Sequence, residues 1–192
     1  MDVLANEVEL VTELCERIKR EKEKTKSKTA SLKILDIGCG TGKLAVHLSE
    51  ETGCAVTGID PVRANVEKAR MKSSSVTFEV QSAEELTFAT DTFDFAVSLK
   101  ALHEIQNPRE ALREARRVLK EGGKIFIVDW VGGAAETSSH AHAKKYFSSE
   151  RIKEALSEVG FVNLSIKSNK EGELMLAEGE KISVSAQNSV EF

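Results

Sequence analysis

Two acids and three glycines stand out in the chain: Asp36-x-Gly38-x-Gly40-x-Gly42, then Asp60, 24 positions after Asp36. Glycines at alternate positions let a backbone turn sharply and come close to a ligand. A carboxylate about two dozen residues further on can accept hydrogen bonds from both hydroxyls of a ribose, strengthened by its charge. Together they suggest a nucleotide-like ligand. The spacing is not that of the Gly-x-Gly-x-x-Gly loop that receives a pyrophosphate, and Asp36 beside a pyrophosphate would set two anions together. An acid there suits a ligand that carries positive charge. Asp60 has a second reading that does not exclude the first, as the cap of a helix with Pro61 at its first position. His103 and Glu104 are the candidates for acid–base work, because an imidazole can take a proton from a thiol, a hydroxyl or an acidic carbon near neutral pH. The plainer alternative is that His103 lines the site or caps the next helix.

These residues need elements to hold them. Lys33-Ile34-Leu35-Asp36-Ile37 is a short apolar run, as expected of a buried parallel strand. After Gly42, Leu44, Ala45 and Leu48 share one helical face, and Gly53 ends it. Asp60 closes a second strand from residue 55. A helix over 62–72 leads to a third strand at 76–80, and residues 93–99 form a fourth. A helix over 109–119 has Ala111, Leu112, Ala115, Val118 and Leu119 inward. It ends at Gly122-Gly123 in left-handed geometry, and a fifth strand runs from 124 to Trp130. Ser148 or Ser149 caps a helix that ends at Gly160, and residues 161–167 and 173–177 form an antiparallel pair. Before all of these, residues 2–20 read as a helix with Val8, Val11, Cys15 and Ile18 on one side, packing on the sheet or roofing the site. The expected fold is α/β: a doubly wound, Rossmann-like sheet of mostly parallel strands with an antiparallel C-terminal strand. We divide the chain into an N-terminal helix and charged linker (1–30, a candidate lid), a main domain (31–178) and a tail (179–192).

At 192 residues this is one domain by length, and a net charge of −4 argues against a surface built mainly for nucleic acid. Cys15, Cys39 and Cys54 have no Cys-x-x-Cys spacing, so a reducing compartment is expected rather than a disulfide framework. No apolar run approaches 18 residues and no leader pattern opens the chain, so a cytoplasmic protein without membrane attachment is expected. Residues 19–28 mix Lys and Arg with Glu, Thr and Ser. They read as a solvated helix end and linker or as a basic hook for RNA or an acidic partner.

The Asp36–Gly42 pattern resembles motif I of the class I S-adenosylmethionine-dependent methyltransferases, and further blocks follow in the family's order. Gln81-Ser82-Ala83-Glu84-Glu85-Leu86-Thr87-Phe88 is similar to the family's acidic-Ala-Glu-x-Leu-Pro-Phe block, with Ser82 in place of the acid that meets the adenine amino group. Leu102-His103-Glu104-Ile105-Gln106-Asn107-Pro108 is similar to its Leu-His-x-Ile/Val-x-x-Pro stretch beside the methyl group and substrate. Arg117-Val118-Leu119-Lys120-Glu121-Gly122-Gly123 resembles its Arg-Val-Leu-Lys-Pro-Gly-Gly turn, with Glu121 for the proline. The resemblance, over about 32–177 and closest to the quinone-biosynthesis branch, implies S-adenosylmethionine as cofactor. Its contacts would fall at Asp36, Gly38, Cys39, Gly40, Gly42, Asp60, Pro61, Ser82, Ala83, Glu84 and Leu99. His103 and Glu104 are then the catalytic candidates, and Leu102, His103 and Trp130 the substrate contacts. Trp130 either stacks on a substrate or packs under the 131–145 connection.

Methyl transfer from a sulfonium needs alignment above all, with a base only for a protonated, weak nucleophile. Fold and cofactor therefore leave the acceptor open. Ser98-Leu99-Lys100-Ala101 lacks the Asn/Asp-Pro-Pro-aromatic block of enzymes that methylate exocyclic amino groups of bases, and no cysteine stands where m5-cytosine enzymes keep their nucleophile. Three scattered cysteines do not make an arsenite site, and Asp129 by itself does not make a catechol-type metal site. His140 and His142, two apart, lack companions for a metal, so none is expected. Three functions remain: a methyltransferase for a small molecule, one for protein or RNA docked through residues 19–28, and a non-catalytic S-adenosylmethionine-binding protein. Oligomeric state is left open.

Overall fold

The computed structural model describes residues 5–24, 31–132 and 146–183, with side chains from residue 7 onward. Its elements are α1 (Ala5–Lys24), β1 (Lys33–Ile37), α2 (Lys43–Thr52), β2 (Ala55–Asp60), α3 (Arg63–Lys72), β3 (Thr77–Val80) and β4 (Phe93–Leu99), followed by a 3-10 turn (Leu102–Glu104). Then come α4 (Pro108–Val118), β5 (Leu119–Trp130), α5 (Ser149–Glu158), β6 (Phe161–Ser168) and β7 (Leu174–Lys181). The seven strands form one sheet in the order β3-β2-β1-β4-β5-β7-β6. All pairings are parallel except those of β7, which runs antiparallel to both β5 and β6. The expected fold class holds.

Each face of the sheet has its own core. Leu10, Leu14 and Ile18 of α1, Leu48 of α2 and Val66 of α3 pack with Ile34, Val56, Phe95 and Phe126. Leu112 and Ala115 of α4 and Ile152 and Leu156 of α5 pack with Leu35, Ile59, Ile127 and Met175 on the other face. Alternate residues of β1 thus point into different cores, which is why the strand is apolar almost throughout. The chain reverses its winding between β1 and β4, and the carboxyl ends of those strands open the crevice in which ligands of such sheets bind.

Several boundaries differ from expectation for local reasons. Pro61 does not open α3. The Asp60 carboxylate instead accepts from the Val62 N–H, and the helix starts at Arg63. The Gly122-Gly123 pair lies inside β5 rather than at a helix end, because Leu119 is already extended and pairs with Phe93. Gly122 does keep its left-handed φ of 75°. β7 continues to Lys181, beyond the start of the expected tail, since Gly179 leaves room for Phe161 and Leu164 and the buried Lys181 ammonium binds Asp91 and the Leu119 carbonyl. The α1 helix covers the sheet for most of its length, and Glu7 in its first turn reaches Lys100 just beyond β4. Among the described residues no helix is long and apolar enough to cross a membrane.

Candidate active site

The glycine loop is a structure of close approaches. Gly38, at φ 71°, would place a Cβ 2.4 Å from the Ala101 Cβ, so only a glycine lets the loop rest on the chain leaving β4. Gly42, at φ 79°, precedes α2, and a Cβ there would lie 2.7 Å from the Phe78 ring and 2.9 Å from the Ala69 Cβ. Gly42 serves packing beneath the loop. Asp60 ties the parts together: its carboxylate accepts from the Gly40 N–H at 3.0 Å, the Val62 N–H at 2.9 Å and the Asn65 Nδ2 at 3.2 Å.

Asp36 lies under this loop and is 1% exposed. Burial foremost, and then the Asp60 charge, push its carboxyl up to about 7, against the Ala45 N–H that favours ionisation. Among the described residues its Oδ2 has no hydrogen-bond partner. A buried oxygen left this way is costly unless something charged or polar completes it.

Above the loop opens a cleft of about 510 Å³, within the usual range for small-molecule sites. Of the residues expected to hold the cofactor, Gly38, Asp60, Pro61, Ser82, Ala83 and Glu84 line it, while Asp36, Cys39, Gly40, Gly42 and Leu99 do not. Asn65, Lys100, Ala101 and Ile105 line it without having been anticipated. Cys39 packs its thiol against Gly58, and burial with the nearby Asp36 and Asp60 carboxylates pushes the thiol up, so it is no nucleophile. Leu99 is half-buried and joins the core beneath. The Ser82 hydroxyl is turned to the Glu84 carboxylate at 3.3 Å. Glu84 also accepts from the Asn107 N–H at 2.5 Å, tying this block to the chain after the 3-10 turn.

On the far side of that turn lies a second cleft of about 410 Å³, lined by Leu102, His103, Pro108, Phe147 and Arg151. Glu104, Ile105 and Gln106 line both clefts and form the wall they share. His103 is 8% exposed. Its Nδ1 lies 2.6 Å from Asp129 Oδ1, and its own backbone N–H donates to Asp129 Oδ2 at 3.2 Å. Asp129 is fixed in turn by the Trp130 N–H at 2.8 Å, and the Tyr146 ring meets the imidazole edge-on at 4.9 Å. The outward nitrogen, Nε2, lies 3.2 Å from Glu104 Oε1. An imidazole held through Nδ1–H by a buried carboxylate presents Nε2 as a proton acceptor. Asp129 is the residue that sequence reasoning missed in this role. It stands 26 positions from His103, and its one signal was an acid at the carboxyl end of a strand.

Trp130 lines neither cleft among the described residues. The Lys100 ammonium sits 4.3 Å from its ring centroid, and the Tyr146 ring lies beside it at 6.1 Å. His140 and His142 fall outside the described residues.

Residues 35–127 match the methyltransferase domain family. A curated relative, an O-methyltransferase (resE) of Aspergillus sclerotiorum, is 32% identical over 160 residues, covering 76% of this chain and 61% of its own. Residues 35–127 thus carry the methyltransferase domain, and the chain is similar to the class I S-adenosylmethionine-dependent methyltransferases. A ubiquinone biosynthesis O-methyltransferase of Xanthomonas oryzae is 35% identical over 103 residues, 51% of this chain and 43% of that one. The chain spans about half the length of the curated relatives it matches. Among solved structures, the [4+2]-cyclase SpnF superposes with a TM-score of 0.71 at 20% identity, over 88% of this chain and 81% of that one. That a cyclase shares the architecture shows that the fold by itself does not carry methyl transfer.

The donor set fits the family's cofactor. The cleft joins the Asp60 carboxylate, the small residues Ser82 and Ala83, and a glycine loop that has no room for a Cβ at Gly38. Beneath them the unpartnered Asp36 Oδ2 suits a cationic ligand.

Proposed function

We propose that this protein binds S-adenosylmethionine in the larger cleft and methylates a hydroxyl of a small molecule, with His103 as general base. The observation that carries the reading is the 2.6 Å contact of the His103 ring with Asp129, which leaves Nε2 facing Glu104 in the wall that the two clefts share. Bound there, S-adenosylmethionine supplies a methyl group already activated on sulfur. In this reading Asp60 holds the ribose hydroxyls while fixing Gly40, Ala83 with its neighbours seats the adenine, and Asp36 answers the positive charge. Leu102 and Phe147 shape the acceptor cleft. A hydroxyl taking the place of Glu104 at Nε2 gives its proton to the imidazole as its oxygen gains the methyl group. The products are a methyl ether, a neutral thioether and an imidazolium, which returns its proton to water. Asp129 keeps the ring oriented throughout and balances the charge it gains.

Two observations favour a small acceptor over a macromolecule. The matched relatives include named O-methyltransferases, and the described lysines of the basic segment already have partners. Lys19 pairs with Glu51, Lys24 with Glu21, and Lys22 binds the Thr52 carbonyl. Those lysines also stand at least 12 residues along α1 from Glu7, roughly 18 Å or more of helix from the site.

The experiment is transfer of a labelled methyl group from S-adenosylmethionine to small-molecule, protein and RNA fractions, with calorimetry of the demethylated product S-adenosylhomocysteine beside it. Label in the small-molecule fraction that is lost in His103→Ala supports the reading. Label in protein or RNA overturns the acceptor class, and tight binding with no label in any fraction favours a non-catalytic binding protein.

A further inference from the structure

Lys100 is an odd residue for its place. It has a left-handed backbone, φ 51°, which a side chain adopts at a cost. Its N–H nevertheless completes the β4–β5 ladder on the Val128 carbonyl at 2.7 Å. Its ammonium is largely buried between the Glu7 carboxylate, with the two side chains 15% and 12% exposed, and the Trp130 ring. A buried ion pair recovers little more than its own desolvation, so bracing α1 against the sheet does not by itself explain a lysine here.

The cleft supplies the missing reason. Among the described residues that line it, Asp60, Glu84 and Glu104 are acids and Lys100 is the one cation. Asp36 lies buried below. The amino-acid end of S-adenosylmethionine carries a carboxylate as well as an ammonium, and a carboxylate cannot settle against those acids. The close approach of Gly38 and Ala101 brings the glycine loop against Lys100's chain neighbour, and both Lys100 and Gly38 line the cleft.

We propose that Lys100 is the subsite for the α-carboxylate of the cofactor, and that Glu7 holds the same ammonium when the carboxylate is absent. The inference rests on the reading of this cleft as the S-adenosylmethionine site. The first turn of α1 and the cofactor then share one positive charge, so ligand binding loosens the tie between α1 and the end of β4.

The test compares S-adenosylhomocysteine with 5′-methylthioadenosine, which keeps the nucleoside and thioether but lacks the amino-acid end, by calorimetry on the full chain. In the unaltered protein the first binds more tightly. Lys100→Gln weakens S-adenosylhomocysteine at least tenfold and changes methylthioadenosine less than twofold, whereas Lys100→Arg keeps the preference. Glu7→Gln removes the competitor and tightens S-adenosylhomocysteine severalfold without moving methylthioadenosine. A brace alone predicts the same sign for both halves of the pair. Equal losses in Lys100→Gln and Glu7→Gln, or an unchanged preference in Lys100→Gln, overturn the proposal. If the unaltered protein binds neither compound, the cofactor reading itself fails, and this inference with it. Thermal melting of each variant separates loss of the subsite from loss of the fold, and Glu7→Gln with Lys100→Arg still decides if Lys100→Gln does not fold.

Discussion

The two clefts that share residues 104–106 as a wall are built in different ways. The larger rests on a backbone turn and its ties: Gly38 lines it from the glycine loop, and Asp60 fastens Gly40 of that loop to the start of α3. The smaller is made of side chains that the chain brings from far apart. His103 comes from the turn after β4, Asp129 from the end of β5, and Phe147 and Arg151 from around the start of α5. A site that must hold one invariant ligand can be written into a contiguous motif. A site that selects an acceptor depends on long-range packing, which varies without disturbing the loop.

The largest expected effect separates the two at once. His103→Ala removes the proposed base, and loss of general-base assistance lowers turnover by about 10²–10⁴-fold. S-adenosylhomocysteine affinity changes little, because His103 does not line the larger cleft. Steady-state kinetics and calorimetry on one preparation check both halves. Loss of cofactor binding in step with turnover would falsify the division of labour between the clefts.

That division also explains what the sequence discloses. The glycine loop, Asp60 and the 82–84 block were readable because each is local, with spacing set by one turn and one strand. Cys39, Gly42 and Leu99 belong to the same motifs but face the core, since a motif names neighbours in sequence and not which of them points outward. Asp129 was hidden as a partner for His103 because only the parallel pairing of β4 with β5 brings it beneath the 3-10 turn. The extension of β7 to Lys181 was hidden too, since its last residues alternate with charge and are buried by ion pairing and by Phe161.

Around the glycine loop, Gly42 beneath it and Asp60 beside it should fail differently. Gly42→Ala introduces a Cβ into the Phe78 ring at a left-handed position, costing about 2–4 kcal/mol of stability from overpacking and backbone strain. For a chain of this size that lowers the melting temperature by roughly 5–10 °C. Asp60→Ala removes one acceptor from three donors and from the proposed ribose contact, weakening cofactor binding by about 1–3 kcal/mol. Calorimetry reads the second effect, and unchanged affinity would remove Asp60 from the ribose. A melting shift in Gly42→Ala no larger than a degree would mean that Phe78 yields and the loop is not packed as described.

The last effect is the most specific, and it concerns Asp36. Its carboxyl titrates near 7 in the fold and near 3.9 when unfolded, so between those values the folded state holds more protons. Stability contributed by this group is greatest below about pH 4, falls as pH rises toward 7, and is level above. Glu13, Glu21 and Glu114 are held below the usual carboxylate range by their basic partners and act below about pH 4.5, while His47, lowered by burial, acts below its ordinary imidazole value. Subtracting the Asp36→Asn melting curve from that of the unaltered protein cancels these other groups. The difference should be near zero at pH 4 and should favour Asp36→Asn at pH 8, by about 1.4 kcal/mol for every tenfold by which folding weakens the Asp36 acid. Cofactor affinity should move the other way. The negative charge that burdens the empty fold is the one a sulfonium and an ammonium would neutralise, so the amide gains stability and binds S-adenosylmethionine more weakly. Parallel melting curves across this range would place the unpartnered Oδ2 among ordinary core atoms. Divergent curves with weakened binding would mark Asp36 as a residue whose cost to folding is tied to its use.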